Sequence, residues 1–167
     1  MQFERTALIS LLALAAAALP AHAAKSVEVS FVDPTHFSDA GKDPVDARRN
    51  EDILARFLEG LGERYLGPDQ ALKIEILDLD LAGTVRPSRR GNGDIRILRG
   101  GADVPRIKLR YSLVAGGQVA KSGEETVTDL DYSAHPPDVA IDDPLRREKQ
   151  LLSDWFKGRF GSGKAAG

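Results

Sequence analysis

The sequence predicts an α+β fold, a two-layer sandwich in which two helices pack on one face of a mainly antiparallel sheet of about five strands. Alternating apolar and polar residues predict strands over 26–32 and 71–81 and a long hairpin over 106–132. Apolar residues spaced at three and four predict helices after two Asp-Pro pairs, Asp43-Pro44 and Asp143-Pro144. The order is therefore strand, helix, four strands and helix.

The first 23 residues are predicted to be a secretory signal peptide and not part of the fold. Arg5 precedes an apolar run that ends at Leu19, and Ala21-His22-Ala23 fits the small-x-small cleavage pattern. That run is shorter than the ~20 residues that span a bilayer, which disfavours a membrane anchor. We expect a periplasmic protein with a single domain over 24–160 and a disordered tail over 161–167.

Composition excludes some classes of function. The chain has 167 residues, no cysteine and a net charge of −2. Without a cysteine at the cleavage point it is not a lipoprotein, and without disulfides its core alone must stabilise the fold. The mild acidity argues against a nucleic-acid binder, and we expect no membrane span after signal removal. The oligomeric state stays open.

The first half of the chain carries clear start and stop signals. Asp43 is a predicted N-cap and Pro44 suits the first helical position, while Gly67-Pro68 ends the helix. In the next strand the apolar phase changes, because Ile74 and Ile76 alternate in one register and Leu77, Leu79 and Leu81 in the other. The change indicates either a bulge near Ile76-Leu77 or a strand buried on both faces. Either arrangement directs Asp78 and Asp80 to one side, roughly 7 Å apart.

A basic loop is predicted over 84–94, with a tight turn at Gly91-Asn92-Gly93 and a short strand over 95–98. The hairpin that follows is predicted to turn at Gly116-Gly117, because glycines supply the positive φ of a two-residue turn.

That turn sets the expected register of the hairpin. It pairs Val114 with Val119, and it places Lys108 opposite Glu125 and Glu124 on the buried face. A bulge at Gly123 would shift the phase by one residue and return Glu124 to solvent.

In the last helix Glu148 falls on the apolar side, between Leu145 and Leu152. A buried carboxylate requires a partner, and we expect a structural polar pair between Glu148 and Arg106.

Four stretches of the chain stand out together: VSFVDPTHFSD, ILDLDLAG, PRIKLRYSL and LRREKQLLSDWF. In their wording, order and spacing they resemble the DUF3016 family of secreted bacterial proteins. The resemblance implies a Gram-negative envelope location and a domain of unknown function, with no established catalytic residues to transfer. Arg147 stands where an aromatic residue is expected in the family.

The most distinctive charge feature is a basic segment from Arg86 to Arg110. It contains eight basic and two acidic residues. Arginine forks pair well with phosphates and carboxylates, so an anionic envelope polymer or an envelope protein is the expected partner. The candidate binding residues are Arg86, Arg89, Arg90, Arg96, Arg99 and Arg110; solvated charge that balances an acidic remainder is the alternative interpretation.

An enzyme is the second hypothesis, a metal-dependent hydrolase centred on Asp78 and Asp80. Two carboxylates alone make a poor metal site, and the two histidines beyond the signal peptide, His36 and His135, show no ligand spacing. No cofactor is predicted. We therefore expect a non-enzymatic binding or adaptor domain that uses the arginine-rich loop and the hairpin.

Overall fold

The computed structural model describes residues 26–87, 94–97, 104–128, 143 and 145–161. Its strands are β1 (Val27–Phe31), β2 (Gln70–Asp80), β3 (Thr84–Pro87), β4 (Asp94–Ile97), β5 (Arg106–Ala115) and β6 (Gln118–Thr128), and its helices are α1 (Pro44–Tyr65) and α2 (Arg146–Phe160). The predicted signal peptide, the Gly91–Gly93 turn and tail residues 162–167 lie outside the described residues.

The main sheet has four strands in the order β1-β2-β5-β6, with β1 parallel to β2 and the other neighbours antiparallel. One hydrophobic core joins side chains of this sheet to both helices, including Leu58 and Phe156, which are fully buried. The opposite face is polar. The α+β sandwich is therefore confirmed, with a smaller main sheet than predicted and a separate two-stranded sheet of β3 and β4.

Helix α1 begins as its sequence predicts. The Asp43 carboxylate accepts hydrogen bonds from the Val45 and Asp46 amides, both at 2.9 Å. These bonds hold the pKa of Asp43 below its ordinary value, the bond from Asp46 first. Helix α2 begins at Arg146, slightly later than its Asp-Pro pair predicts, and Asp143 accepts a bond from the Leu145 amide.

Strand β2 contains a bulge, the first of the two arrangements that its change of apolar phase indicated. Its pairing with β5 shifts between Ile76 and Asp78, so that Leu77 is the extra residue. Ile76 and Leu79 are consequently both buried, and Asp78 and Asp80 are directed away from the core.

The β5–β6 hairpin also contains a bulge, but at a different place from the prediction. Gly116 and Gly117 form the turn with φ of 57° and 79°, and Val114 pairs with Val119 as predicted. Leu113 then pairs with Lys121, which makes Ala120 the extra residue, so the predicted bulge at Gly123 is wrong. Gly123 instead makes room for a ring, because a Cβ there would lie 3.1 Å from Tyr111 Cε1.

Because the bulge lies at Ala120, the predicted positions of Glu124 and Glu125 are wrong. Lys108 lies opposite Thr126 and not Glu125, while Glu124 reaches the polar face and pairs with Lys108 at 3.0 Å. Glu125 turns towards α2 and accepts hydrogen bonds from Trp155 Nε1 at 3.2 Å and Arg159 at 2.8 Å. Glu125 thus joins β6 to the end of α2.

Strand β3 lies in the segment that was predicted to be a loop. Its four residues pair with β4, which was predicted one residue later. The short TVRP sequence ends in proline and has little apolar alternation, so it carries a weak strand signal of its own.

Two glycines of α1 provide a matched test of the packing between α1 and β1. A Cβ at Gly60 would meet nothing within 4 Å, whereas one at Gly62 would overlap Val27 Cγ2. Gly60→Ala should raise the free energy of unfolding by about 0.5–1 kcal/mol, and Gly62→Ala should lower it by about 1–3 kcal/mol. Urea unfolding measures both, and a shift of both variants in the same direction would contradict this packing.

Candidate functional site

The hairpin of β3 and β4 is a sheet of its own, hydrogen-bonded to no strand of the main sheet in the described part of the chain. Arg86, in β3, is exposed, and its side chain forms no ion pair or hydrogen bond with the described residues. Of the six predicted binding arginines, Arg89, Arg90 and Arg99 lie outside the described residues. The structure therefore places Arg86, Arg96 and Arg110.

Arg96, in β4, points into the protein. Its guanidinium forms a two-pronged ion pair with Asp39, with Nη1 at 2.8 Å and Nη2 at 3.0 Å from the two carboxylate oxygens. Nη1 also donates to the Ala82 and Gly83 carbonyls at 3.4 and 3.3 Å. The hydrogen bonds to Asp39 raise the pKa of Arg96, so this arginine is a structural cation and not a free binding group.

Asp39 reaches Arg96 because its loop runs beside the second half of β2. The Asp39 amide donates to the Leu79 carbonyl at 2.8 Å, and its carbonyl accepts from the Leu81 amide at 3.0 Å. Sequence reasoning did not single out Asp39. The available signal was its position in VSFVDPTHFSD, one of the stretches that carry the family resemblance.

Glu148, in α2, is 2% exposed. Its Oε1 accepts a hydrogen bond from the Ala82 amide at 2.7 Å. Burial raises the pKa of Glu148, and the bond from Ala82 and the charges of Arg96 and Arg147 oppose that rise. The carboxylate therefore fixes the segment between β2 and β3 to α2.

We call the set Asp39, Ala82, Gly83, Arg96 and Glu148 the polar joint. It connects the loop before α1, the segment between β2 and β3, strand β4 and helix α2. No backbone pairing joins the hairpin to the main sheet in the described part of the chain, and the Asp39–Arg96 ion pair is a side-chain contact that holds it to the domain. The β3–β4 hairpin is thus held by a partly buried cluster of charged side chains.

Arg106 has a different partner from the predicted one. It is 58% exposed at the side chain and faces Asp80 at 3.7 Å, whereas Glu148 is buried against Ala82. The bulge in β2 explains the correction, because it puts Asp80 on the polar face beside Arg106. The predicted pair between Arg106 and Glu148 is therefore wrong: Arg106 forms an exposed ion pair with Asp80, and Glu148 belongs to the polar joint.

Arg110 lies on the polar face of the main sheet and is matched by acids. Its Nε lies 3.4 Å from Glu75 and 3.8 Å from Glu124. Lys108 also forms an ion pair with Glu124, and its hydrogen bond lowers the pKa of that carboxyl. The basic side chains on this face of the sheet are thus largely balanced by neighbouring carboxylates.

Asp78 and Asp80 share a face, as predicted, but they have different partners. The two carboxylate oxygens of Asp78 accept from the Ser38 amide and hydroxyl, each at 2.8 Å. Burial raises the pKa of Asp80, and Arg106 opposes that rise. His36 pairs with Asp33 at 3.0 Å, and His135 lies outside the described residues. The described residues contain no group of three or more His, Cys, Asp or Glu side chains that could hold a metal ion.

A groove of about 400 Å³ lies between the loop that carries Asp39 and the start of α1. Pro34, Phe37 and Ala47 give it an apolar lining, and its charged lining residues are the acids Asp39, Asp43 and Glu51 and the base Arg48. The acidic excess of this lining disfavours an anionic ligand in the groove.

With this geometry established, the comparisons place the chain in a family. The DUF3016 family, described as a protein of unknown function, matches residues 25–158. The protein belongs to the DUF3016 family. Neither the curated proteins nor the solved structures contain a match. Within the described residues, neither helix combines the length and hydrophobicity needed to cross a membrane.

A double-mutant cycle on Asp39 and Arg96 tests the polar joint. Single and double alanine variants, unfolded in urea, should give a coupling free energy of about 1.5–3 kcal/mol, because this pair is two-pronged and partly buried. The exposed Asp80–Arg106 pair is the control and should give about 0.2–1 kcal/mol. Equal coupling in the two pairs would mean that Asp39 and Arg96 do not hold the hairpin.

Proposed function

We propose that this protein is a non-enzymatic binding domain of the bacterial cell envelope that holds an anionic partner on its β3–β4 hairpin. The observation that carries the proposal is Arg86, exposed and without an ion-pair partner among the described residues, on a hairpin that the polar joint holds in place. A positioned guanidinium loses less conformational freedom on binding than one on a free loop. The predicted signal peptide supports a periplasmic location.

The neighbouring sequence favours an anionic partner. Arg89 and Arg90 follow Arg86 within four residues, and Pro87 is the only residue of β3 after Arg86. Arginines in such a cluster bind phosphates and carboxylates by charge-assisted hydrogen bonds. The candidate partners are anionic envelope polymers and acidic envelope proteins.

The β5–β6 hairpin is the weaker part of the predicted binding surface. The positive charge of Arg110 is shared between Glu75 and Glu124. Strand β6 carries a bulge at Ala120 followed by Lys121, two features that discourage another strand from pairing with an edge. We therefore assign binding to the β3–β4 hairpin.

The geometry of the described residues does not favour the hydrolase hypothesis. Both oxygens of Asp78 are engaged by Ser38, and Asp80 faces an arginine. A general acid and base require two environments arranged around a reacting group, and this pair lies on the polar face of a sheet among ion pairs.

Replacement of the arginines tests the proposal. The variant Arg86→Gln/Arg89→Gln/Arg90→Gln should bind labelled polyphosphate or polyglutamate at least about tenfold more weakly than the unaltered protein, because each lost guanidinium removes charge-assisted bonds. Fluorescence anisotropy at low and physiological salt gives both affinities, and the stronger of the two probes identifies the anion class.

The matched control changes three exposed arginines of α1: Arg48→Gln/Arg56→Gln/Arg64→Gln. It removes the same charge from another surface and should bind within about twofold of the unaltered protein. If both triple variants lose affinity equally, binding depends only on net charge and the hairpin is not the site.

A further inference from the structure

The groove between the loop after β1 and the start of α1 has walls that are fixed to the domain. The buried Asn50 side chain of α1 donates a hydrogen bond to the Ala40 carbonyl in the loop at 2.9 Å. The Phe37 ring of the loop packs against Phe31 of β1, with 6.3 Å between the ring centroids. Because these contacts set the shape of the groove in advance, a bound partner does not have to order it, and this favours binding.

Apolar surface is concentrated at this groove. Three lining residues, Pro34, Phe37 and Ala47, are apolar. Among the described residues, Val32 and Val45 are two of the three exposed large hydrophobic side chains, at 43% and 72% exposure, and each lies two residues from a lining residue. Exposed apolar side chains next to a pocket are typical of a surface that binds a partner.

Glu51 is the acid of the lining whose side chain is left without a partner. Asp39 belongs to the polar joint, and Asp43 accepts the hydrogen bonds that begin α1. The Glu51 side chain is half-buried and forms no hydrogen bond or ion pair with the described residues. Burial raises the pKa of Glu51; the charge of Arg48 opposes this rise and that of Asp52 adds to it. A cation brought into the groove would therefore stabilise the ionised carboxylate.

The dipole of α1 does not cancel this preference for a cation. The positive end of the helix lies at Pro44, and its effect falls off within the first turn. Glu51 lies two turns into the helix. Arg48, one turn before Glu51, is the base of the lining and would repel an incoming cation. The two side chains therefore act on a positive ligand in opposite directions.

We propose that this groove binds a peptide segment of a partner protein in which a basic side chain lies next to an aliphatic or aromatic one. The basic group pairs with Glu51, and its apolar neighbour packs against Phe37 and Ala47. A peptide fits better than a free amine because adjacent side chains supply the charge and the apolar surface together. This site selects the opposite charge from the β3–β4 hairpin and does not depend on the proposed function.

Titration with acetyl-Leu-Arg-amide, followed by two-dimensional amide NMR of isotope-labelled protein, tests the site. The Gly41 and Ala47 amides, which belong to the lining, should shift as the peptide is added. Its affinity should be about two- to fivefold higher than that of acetyl-Leu-citrulline-amide, which has a similar shape and no charge. Arginine amide, which lacks the apolar neighbour, should bind more weakly than acetyl-Leu-Arg-amide.

Three variants locate the charge. Glu51→Gln should reduce the affinity for acetyl-Leu-Arg-amide to that for the citrulline peptide, whereas Arg48→Gln should raise it. Glu63→Gln is the matched control, because it removes the same charge from an exposed position of α1. It lies roughly 18 Å further along the helix, beyond the Debye length of about 8 Å at physiological salt, and should leave the affinity unchanged.

Four results would overturn the proposal: no shift at Gly41 and Ala47, equal affinity for the arginine and citrulline peptides, an equal loss in Glu51→Gln and Glu63→Gln, or weaker binding in Arg48→Gln. Binding of arginine amide as tight as that of acetyl-Leu-Arg-amide would exclude a peptide as the occupant. The polyanion experiment uses other residues and another probe, so its failure and the failure of this site are separate results.

Discussion

The single extra residue in β2, Leu77, is the constraint on which the remaining arrangement depends. Because the pairing shifts by one residue, Leu79 and Leu81 continue on the core side, and Asp78 and Asp80 face the polar side. Without the shift, two leucines would meet water and two carboxylates would enter the core. The bulge also brings Ala82 to the start of α2, where its amide meets Glu148.

The β3–β4 hairpin follows this segment and must be held to the rest of the domain. A two-stranded hairpin alone is marginally stable in water, so β3 and β4 require support from the domain. Two contacts supply this support: Asp39 forms an ion pair with Arg96, and Glu148 accepts a hydrogen bond from the Ala82 amide. Partly buried ion pairs add little stability compared with apolar packing, but they fix direction, which suits the proposed role of the hairpin in presenting Arg86.

The sequence predicted what depends on local pattern. The N-cap at Asp43 and the Gly-Gly turn were predicted, and the bulge in β2 was one of two predicted alternatives, because each arises from neighbours in the chain. The second bulge was expected at Gly123 and occurs at Ala120, since glycine there serves the Tyr111 ring, a contact across strands that no local pattern shows. The partner of Glu148 could not be predicted for the same reason: it is a backbone amide far along the chain, and an apolar helix face shows only that a partner is needed.

The central claim is that the polar joint, and not backbone pairing, holds the hairpin in one position. The chain has no cysteine, so two engineered cysteines would be the sole attachment sites for spin labels. Thr84→Cys in β3 and Arg56→Cys in α1 place them at exposed positions. The distance distribution between the labels, measured by double electron–electron resonance, should be narrow in the otherwise unaltered protein and should broaden in Asp39→Ala. A distribution that is broad in both, or equally narrow in both, would contradict this account.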